Sequence, residues 1–234
     1  MQKGKLYLIP SLLGDSDATA SLPYLVNNHI NEINVFIVEN IRSARRFIKK
    51  VDKEKNIDNC TFYALGKHDK LNLEEDFLSH ILRGESVGII SEAGLPCVAD
   101  PGSKIVTYAH NFQVEVIPLV GPSSIFLALM ASGLNGQSFV FHGYLPIDKK
   151  ERERKIKQME SNSRKENQTQ IFMETPYRNH QLFDAILKKS SNKARLCIAT
   201  NITLANEFIQ TKSIEEWKHT KIDIHKQPTI FLIG

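Results

Sequence analysis

The chain has 234 residues, of which 41% are hydrophobic and 24% charged, and its formal net charge is +4. This composition is typical of a globular chain with one large domain or two domains of roughly 115 residues each, and it excludes a long disordered tract. The modest positive charge is compatible with an anionic partner but does not require one.

The three cysteines, Cys60, Cys97 and Cys197, lie far apart in the sequence and show no metal-ligand spacing. We therefore expect reduced thiols, a cytoplasmic location and no bound metal. The residues before Pro10 are too few for the hydrophobic region of a secretion signal, and no apolar run has the length of a membrane span. We expect no association with membranes.

In the first half of the chain, short apolar runs alternate with segments of helical pattern. Strands are predicted at 6–10, 33–38, 61–65, 87–90 and 114–118. Helices are predicted at 22–30 (capped by Ser21), 41–51, 73–83 and 103–110, and from the turn at 121–124 to Ser132. Because strands alternate with helices, we expect an α/β domain with a doubly wound, mostly parallel sheet.

The second half has fewer helices and more closely spaced strands, which favours a mixed sheet. Strands are predicted at 138–144, 169–173, 195–199, 207–211 and 229–233. Helices are predicted at 149–159, up to about 189, and after Ser213, which has the form of a capping box. The polar run 160–168 is expected to complete a mobile insertion; an exposed helix and loop is the ordinary alternative, and the run could also lie over a bound anionic substrate. We place two α/β domains at 1–119 and 120–234, with the boundary near Val120.

Two turns rich in glycine, proline and serine follow the strands at 87–90 and 114–118. The first covers 91–102 and the second covers 121–124. Since ligands of parallel sheets bind at the carboxyl ends of the strands, both turns are candidate ligand loops. Their glycines would let a ligand approach the backbone, and their prolines would stiffen the loops. The alternative, that these are only turn residues and helix caps, remains open.

Several common catalytic motifs do not occur in the sequence. There is no glycine pattern of a dinucleotide site or P-loop, no serine-hydrolase elbow and no zinc-ligand spacing. Kinases, dehydrogenases, serine hydrolases and zinc enzymes are therefore disfavoured.

The runs SEAGLP (91–96) and DPG (100–102) resemble the S-D-A-G-T-P…D-P-G signature of the tetrapyrrole methylase superfamily. Similar matches follow the family's order at 6–9 with Gly14, at 121–124 (P-G-P-S-A), at 141–146 (F-x-G-F-L-P) and at 174–178 (E-S-P-H-R). The resemblance is strongest to the ribosomal RNA small-subunit methyltransferase I branch, which methylates a cytidine ribose 2′-hydroxyl with S-adenosylmethionine.

The chain departs from that branch at several charged positions. Residues 39–42 read ENIR in place of E-D-T-R, and residues 200–204 read TNITL in place of R-E-L-T-K. Glu92 replaces the aspartate of S-D-A-G, Leu95 replaces the threonine of G-T-P, and the opening loop lacks T-P-I-G-N. The resemblance therefore supports the methyl donor more strongly than the acceptor.

Membership would imply two α/β domains, a homodimer, and S-adenosylmethionine bound in the cleft between the domains. The donor contacts carried over from the two turns are Glu92, Ala93, Gly94, Pro96, Val98, Pro122, Ser123 and Ser124. Those carried over from the second domain are Met173, Tyr177 and Thr200.

A ribose hydroxyl would also need a proton acceptor, for which Glu174 is the first candidate and Glu39 the second. For each carboxylate, an ordinary salt bridge or helix cap remains the alternative. Arg42, His68 and Arg178 are candidate substrate-binding residues.

Three functions remain open. The first is methylation of ribosomal RNA of the small subunit, which the basic segments at 42–50 and 149–157 favour, although such segments are also typical of solvated helix faces. The second keeps the donor but methylates a corrinoid or porphyrin precursor or another small molecule. The third is a non-catalytic paralogue that binds S-adenosylmethionine or RNA.

Overall fold

The computed structural model describes residues 2–66 and 71–234. They divide into two units, Met1–Ser123 and Ser124–Gly234. The sequence placed this division near Val120, inside the second of the two small-residue turns. His68, a predicted substrate-binding residue, lies outside the described residues.

The first unit is built on a five-stranded sheet with the order β3-β2-β4-β1-β5. Its strands are β1 (Leu6–Ile9), β2 (Val35–Val38), β3 (Thr61–Ala64), β4 (Val87–Ile90) and β5 (Val116–Pro118). All four strand pairings are parallel, as predicted. Every residue of β2 and β4 is buried, because helices cover both faces of the sheet.

Helices connect these strands. They are α1 (Ala18–Ser21), α2 (Tyr24–Glu32), α3 (Ile41–Val51), a π-helical turn (Leu73–Leu78) that continues into α4 (Ser79–Leu82), and α5 (Ser103–Asn111). The bounds of α3 agree with the prediction, since the Asn40 side chain caps its first turn and accepts a hydrogen bond from the Ser43 amide. Ala44 and Ile48 bury one face of α3 in the core of the unit.

Two predicted helices of this unit differ in detail. Ser21 does not cap a helix at 22–30; it ends α1, which begins at the Asp17 cap, and α2 begins only after Pro23. The break arises because the residue before a proline disfavours helical backbone angles, and Leu22 is extended. The segment predicted as one helix at 73–83 is instead a π-helical turn followed by α4.

The second unit contains a mixed five-stranded sheet with the order β6-β7-β10-β8-β9. Its strands are β6 (Phe139–Tyr144), β7 (Thr169–Met173), β8 (Arg195–Thr200), β9 (Phe208–Ser213) and β10 (Thr229–Ile233). Only the β6–β7 pair is parallel among these described strands. The predicted mixed sheet is therefore confirmed.

Its helices are α6 (Ser124–Ser132), α7 (Lys149–Glu166), α8 (Asn179–Lys189), which follows a 3₁₀ turn at Pro176–Arg178, and α9 (Ile214–Lys218). Ser213 begins α9 in the predicted capping box with Glu216. The buried Trp217 of α9 donates its indole N–H to the Leu196 carbonyl. This contact ties the short helix to β8.

The run 160–168 is helical up to Glu166, which is the helix-and-loop alternative and not the mobile insertion. Helix α7 continues through it for 18 residues in total and ends at Asn167, which adopts left-handed backbone angles. The helix persists because Ile156, Met159 and Ser163 recur at helical spacing and are buried, the first two in the core of the unit. Across the described ranges, the structure contains no helix with both the length and the apolarity needed to cross a membrane.

Candidate functional site

Three loops meet at the carboxyl ends of β1, β4 and β5. The carbonyl oxygen of Gly94, in the turn after β4, accepts hydrogen bonds from the Ser11 amide and the Ser91 hydroxyl, each at 2.9 Å. Gly94 has a φ of +73°, and a Cβ placed on it would lie 3.0 Å from Leu13 Cδ2 and 3.1 Å from the Pro122 carbonyl oxygen. The structure thus brings the two predicted ligand turns together at Gly94 and Pro122.

The glycines of these turns serve loop packing in a way that the sequence did not indicate. A Cβ on Gly121 would lie 2.2 Å from Pro10 Cβ, and one on Gly102 would lie 3.0 Å from both Asp100 Oδ1 and Cys97 Sγ. These distances are too short for ordinary contacts, so Gly121 lets its turn pack against Pro10, and Gly102 lets the turn after β4 close tightly on itself. The predicted role of these glycines in letting a ligand approach the backbone stays a prediction.

Asp100 holds the second part of the turn after β4. Its carboxylate accepts hydrogen bonds from the amides of Cys97 at 2.8 Å and Gly102 at 2.7 Å. Cys97 and Ala99 both have positive φ, so the chain folds tightly around this carboxylate. Burial, with a smaller contribution from the Asp100 charge, raises the pKa of the Cys97 thiol to about 11. Val98 projects from this loop and is 44% exposed.

Glu39, at the end of β2, faces the turn after β4. Its Oε1 accepts a hydrogen bond from the Glu92 amide at 3.3 Å, and the residue is half-buried. Burial raises the pKa of Glu39, the Glu92 hydrogen bond opposes that rise, and the nearby carboxylates of Asp100 and Glu92 add to it. The candidate base therefore holds its proton more tightly than an ordinary glutamate does. Arg42 is exposed in the first turn of α3.

A cavity of about 580 Å³ opens between α3 and the loops after β1 and β4. It is lined by residues 11–15, by Ser43, Ala44, Arg46, Phe47 and Lys50 of α3, and by Ile90, Ser91 and Glu92. Apart from Glu92, sequence reasoning did not select these residues as site residues. The available signal was the spacing of Ser43, Arg46, Phe47 and Lys50, which places them on one face of a helix.

In the second unit, the candidate base Glu174 follows β7 and is 5% exposed. Its Oε1 accepts hydrogen bonds from the Arg178 guanidinium at 2.6 Å and from the Thr175 amide at 2.7 Å. The structure therefore places two predicted site residues, Glu174 and Arg178, in one ion pair. This is the salt-bridge alternative that the sequence left open.

The remaining candidates of the second unit differ in exposure. Tyr177 is 73% exposed, and Lys226 Nζ lies 5.7 Å from the centroid of its ring. Thr200, at the end of β8, is buried, and its hydroxyl donates a hydrogen bond to the Pro228 carbonyl at 3.0 Å. Met173 is half-buried at the end of β7. Tyr177 thus has the most accessible surface of the three.

No group of three His, Cys, Asp or Glu side chains in the part of the chain that the structure describes is arranged to hold a metal ion. The polar groups of the three converging loops are instead hydroxyls, backbone amides and single carboxylates. This set of groups suits an organic ligand with ammonium or hydroxyl groups.

Comparison with known proteins gives consistent matches over most of the chain. Residues 29–218 match the family profile described as Tetrapyrrole (Corrin/Porphyrin) Methylases. The chain is 29% identical over 211 residues to the "Ribosomal RNA small subunit methyltransferase I" of Vibrio cholerae, covering 90% of this chain and 69% of that protein. It is 26% identical over 217 residues to the protein of the same name from Halalkalibacterium halodurans, covering 93% and 71%.

The fold is also similar to a solved structure, the crystal structure of the methyltransferase CobJ. The TM-score is 0.63 at 13% sequence identity, and the match covers 99% of this chain and 94% of the other. At this identity, the likeness supports the fold alone.

Proposed function

The chain belongs to the tetrapyrrole (corrin/porphyrin) methylase family and is an S-adenosylmethionine-dependent methyltransferase, and from this membership we propose that it methylates ribosomal RNA of the small subunit. The observation that supports ribosomal RNA as the acceptor is the name that the relatives share. These relatives match about nine-tenths of this chain. We propose a cytidine ribose 2′-hydroxyl as the acceptor atom.

S-adenosylmethionine supplies a methyl group on a positively charged sulfur, which is a good leaving group. We propose that the turn after β4 and the turn after β5 hold this donor. The residues proposed as contacts are Glu92, Ala93, Gly94, Pro96, Val98, Pro122, Ser123 and Ser124, with Met173, Tyr177 and Thr200 from the second unit.

The first unit offers features that fit such a ligand. Glu92 and Ala93 are exposed, and the Glu92 carboxylate can accept hydrogen bonds from ribose hydroxyls or from an ammonium group. The hydrogen bonds of Gly94 to Ser11 and Ser91 hold the turn in place, so little ordering remains for a ligand to impose. Holding donor and acceptor in line and about 3–3.5 Å apart can lower the barrier by roughly 7–11 kcal/mol.

We propose Glu39 as the group that accepts the proton of the ribose hydroxyl, ahead of Glu174. The raised pKa of Glu39 makes its carboxylate a stronger base than an ordinary glutamate. The Glu174 carboxylate is already paired with Arg178 and the Thr175 amide. This order reverses the one expected from the sequence. Arg42 remains a proposed substrate-binding residue, since its side chain is exposed next to the Glu39 loop.

The test is transfer of a labelled methyl group to unmodified small-subunit RNA, offered both free and as assembled subunits. Label should appear in the RNA. The phosphodiester next to the labelled nucleotide should resist alkaline hydrolysis, because a 2′-O-methyl group blocks cleavage there. Glu39→Gln serves as the control for turnover. Label in a tetrapyrrole precursor with none in RNA would favour the second function, whereas donor binding without turnover on either acceptor would favour the paralogue.

We also propose that the protein is a cytoplasmic homodimer. Helix α6 exposes Phe126 and Met130, at 52% and 78%, and the Phe126 ring packs edge-on against Phe139, 5.9 Å between centroids. An apolar patch of this kind is typical of a surface that another chain covers. Light scattering after size exclusion should give twice the mass of the chain, and Met130→Asp should reduce this value to the mass of a single chain. A monomeric parent protein would contradict the dimer.

A further inference from the structure

We propose that the cavity between α3 and the loops after β1 and β4 receives a nucleotide of the RNA acceptor, and that Arg46 binds its phosphodiester. This inference rests on the proposed function and names the part of the molecule that recognises the acceptor. It concerns residues of the first unit only.

The cavity shares its wall with the proposed donor turn. Ser11 and Ser91 line the cavity, and both donate hydrogen bonds to the Gly94 carbonyl oxygen. Glu92 also lines the cavity, and its amide donates a hydrogen bond to Glu39. A nucleotide in this cavity would therefore lie beside both the turn assigned to the methyl donor and the proposed proton acceptor.

One face of α3 forms the opposite side of the cavity. Ser43, Arg46, Phe47 and Lys50 recur at helical spacing and all line it. Deeper in the cavity, Leu12, Ala44 and Ile90 are buried and apolar, and the half-buried Phe47 adds an aromatic ring. An apolar interior with an aromatic side chain suits a nucleobase, which RNA-binding proteins commonly bind by stacking.

Two basic residues of α3 line the cavity, Arg46 and Lys50, and the ion pairs around the helix distinguish them. Arg45 forms an ion pair with Asp58 at 3.1 Å, and Lys50 forms one with Asp15 at 2.5 Å. Lys49 donates a hydrogen bond to the Lys53 carbonyl at 2.8 Å. Arg46 is exposed and makes no ion pair or hydrogen bond among the described residues of its unit. Its guanidinium is therefore available for an anionic ligand, and guanidinium groups bind phosphate oxygens in pairs.

The charge of the cavity favours a nucleotide over a tetrapyrrole. Its volume of about 580 Å³ lies within the range of sites for single small ligands. A tetrapyrrole precursor carries several carboxylates around a large ring, whereas the cavity offers one available guanidinium, the Lys50–Asp15 ion pair and the Glu92 carboxylate. A single phosphodiester matches that charge more closely.

The test compares Arg46→Gln with the neighbouring Arg45→Gln, since the two arginines occupy adjacent positions on one helix but only Arg46 lines the cavity. We expect Arg46→Gln to raise the KM for RNA roughly tenfold. The slope of the logarithm of the RNA-binding constant against the logarithm of the salt concentration should fall by about one, as expected for the loss of one phosphate contact. The donor affinity, measured by calorimetry, should not change. Arg45→Gln should keep the KM of the parent, and Arg46→Lys should restore part of the loss.

The outcomes separate this inference from the function on which it rests. If the parent methylates RNA and Arg46→Gln has the same KM and salt dependence as Arg45→Gln, the cavity does not bind the acceptor. If the parent binds the donor but methylates no RNA, the proposed function fails and the cavity assignment fails with it. Thermal unfolding of Arg46→Gln should match the parent, because Arg46 makes no polar contact that the substitution would remove within its unit.

Discussion

The carbonyl oxygen of Gly94 lies 2.9 Å from the amide nitrogen of Ser11, so the turn after β4 is hydrogen-bonded directly to the loop after β1. This bond joins two segments that are about 80 residues apart in the sequence and meet because β1 and β4 pair in parallel. It makes the candidate donor turn part of a rigid edge of the first unit, and the consequences can be measured.

Gly94→Val should abolish detectable binding of S-adenosylmethionine. The substitution places a β-branched side chain at a φ of +73° and directs its Cβ to within 3.1 Å of Leu13 and Pro122, so the turn must move. The measurement is calorimetric titration with the donor. Gly133→Val is the matched control, since Gly133 has a φ of +67° but no neighbour within 4 Å of its Cβ position. If Gly94→Val binds as tightly as the parent, the donor site is not at this turn.

Glu39→Gln should lower kcat by about 100-fold or more while leaving donor affinity within a few-fold of the parent. The glutamine oxygen can still accept the hydrogen bond from the Glu92 amide, so the loop keeps its geometry. In the parent, kcat should fall on acidification with an apparent pKa above that of an ordinary glutamate, because burial raises the pKa of Glu39. Steady-state rates across pH test this. An unchanged kcat in Glu39→Gln would exclude Glu39 as the base.

The same carboxylate should affect stability, with a definite sign. A raised carboxyl pKa means that the folded state binds the proton more tightly than the unfolded state does. The stabilisation is complete below the unfolded pKa and is lost as the pH rises through the folded pKa. Glu39→Gln should therefore unfold at a higher temperature than the parent at neutral pH. The difference should shrink as the pH approaches the ordinary glutamate value of about 4.3.

Arg178→Ala should destabilise the protein by roughly 3 kcal/mol, near the lower end of the cost of breaking a buried ion pair. The Glu174 side chain is 1% exposed and would lose its charged partner, whereas Arg178 is 31% exposed and is already partly hydrated. The measurement is the free energy of unfolding, taken from the urea transition of the second unit. Glu174→Gln should cost less, because it removes the buried charge together with the ion pair. Equal stability of Arg178→Ala and the parent would rule out a structural role for the pair.

The Cys97 thiol should react slowly with a disulfide reagent at pH 8 and progressively faster toward pH 11. Its pKa of about 11 leaves only on the order of 0.1% as the reactive thiolate at pH 8. Single-cysteine variants, with the other two cysteines changed to serine, separate its rate from those of Cys60 and Cys197. A fast reaction of Cys97 near neutral pH would show that the loop around Asp100 is open in solution.

Much of the fold was accessible from local sequence patterns. The agreement for α3 reflects the Asn40 cap and the apolar spacing of Ala44 and Ile48, both of which act within a few residues. The parallel sheet followed from apolar runs such as 87–90, which are typical of strands buried on both faces. The run 160–168, for which the sequence left a mobile insertion and an exposed helix and loop open, shows the limit of this reasoning. Its helix depends on burial of Met159 and Ser163, which the local composition does not reveal.

The chain's own residue order was enough to establish the family, the two sheets and the positions of the small-residue turns, because these follow from motifs and short-range periodicity. The roles of individual residues depended on contacts between distant segments. Gly121 makes room for Pro10, Glu174 is paired with Arg178, and Glu39 has a raised pKa because it is buried near two other carboxylates. Only the folded chain shows that Arg46 lines a cavity while Arg45 is paired with Asp58, since charge alone reveals neither a cavity nor an ion pair between distant segments.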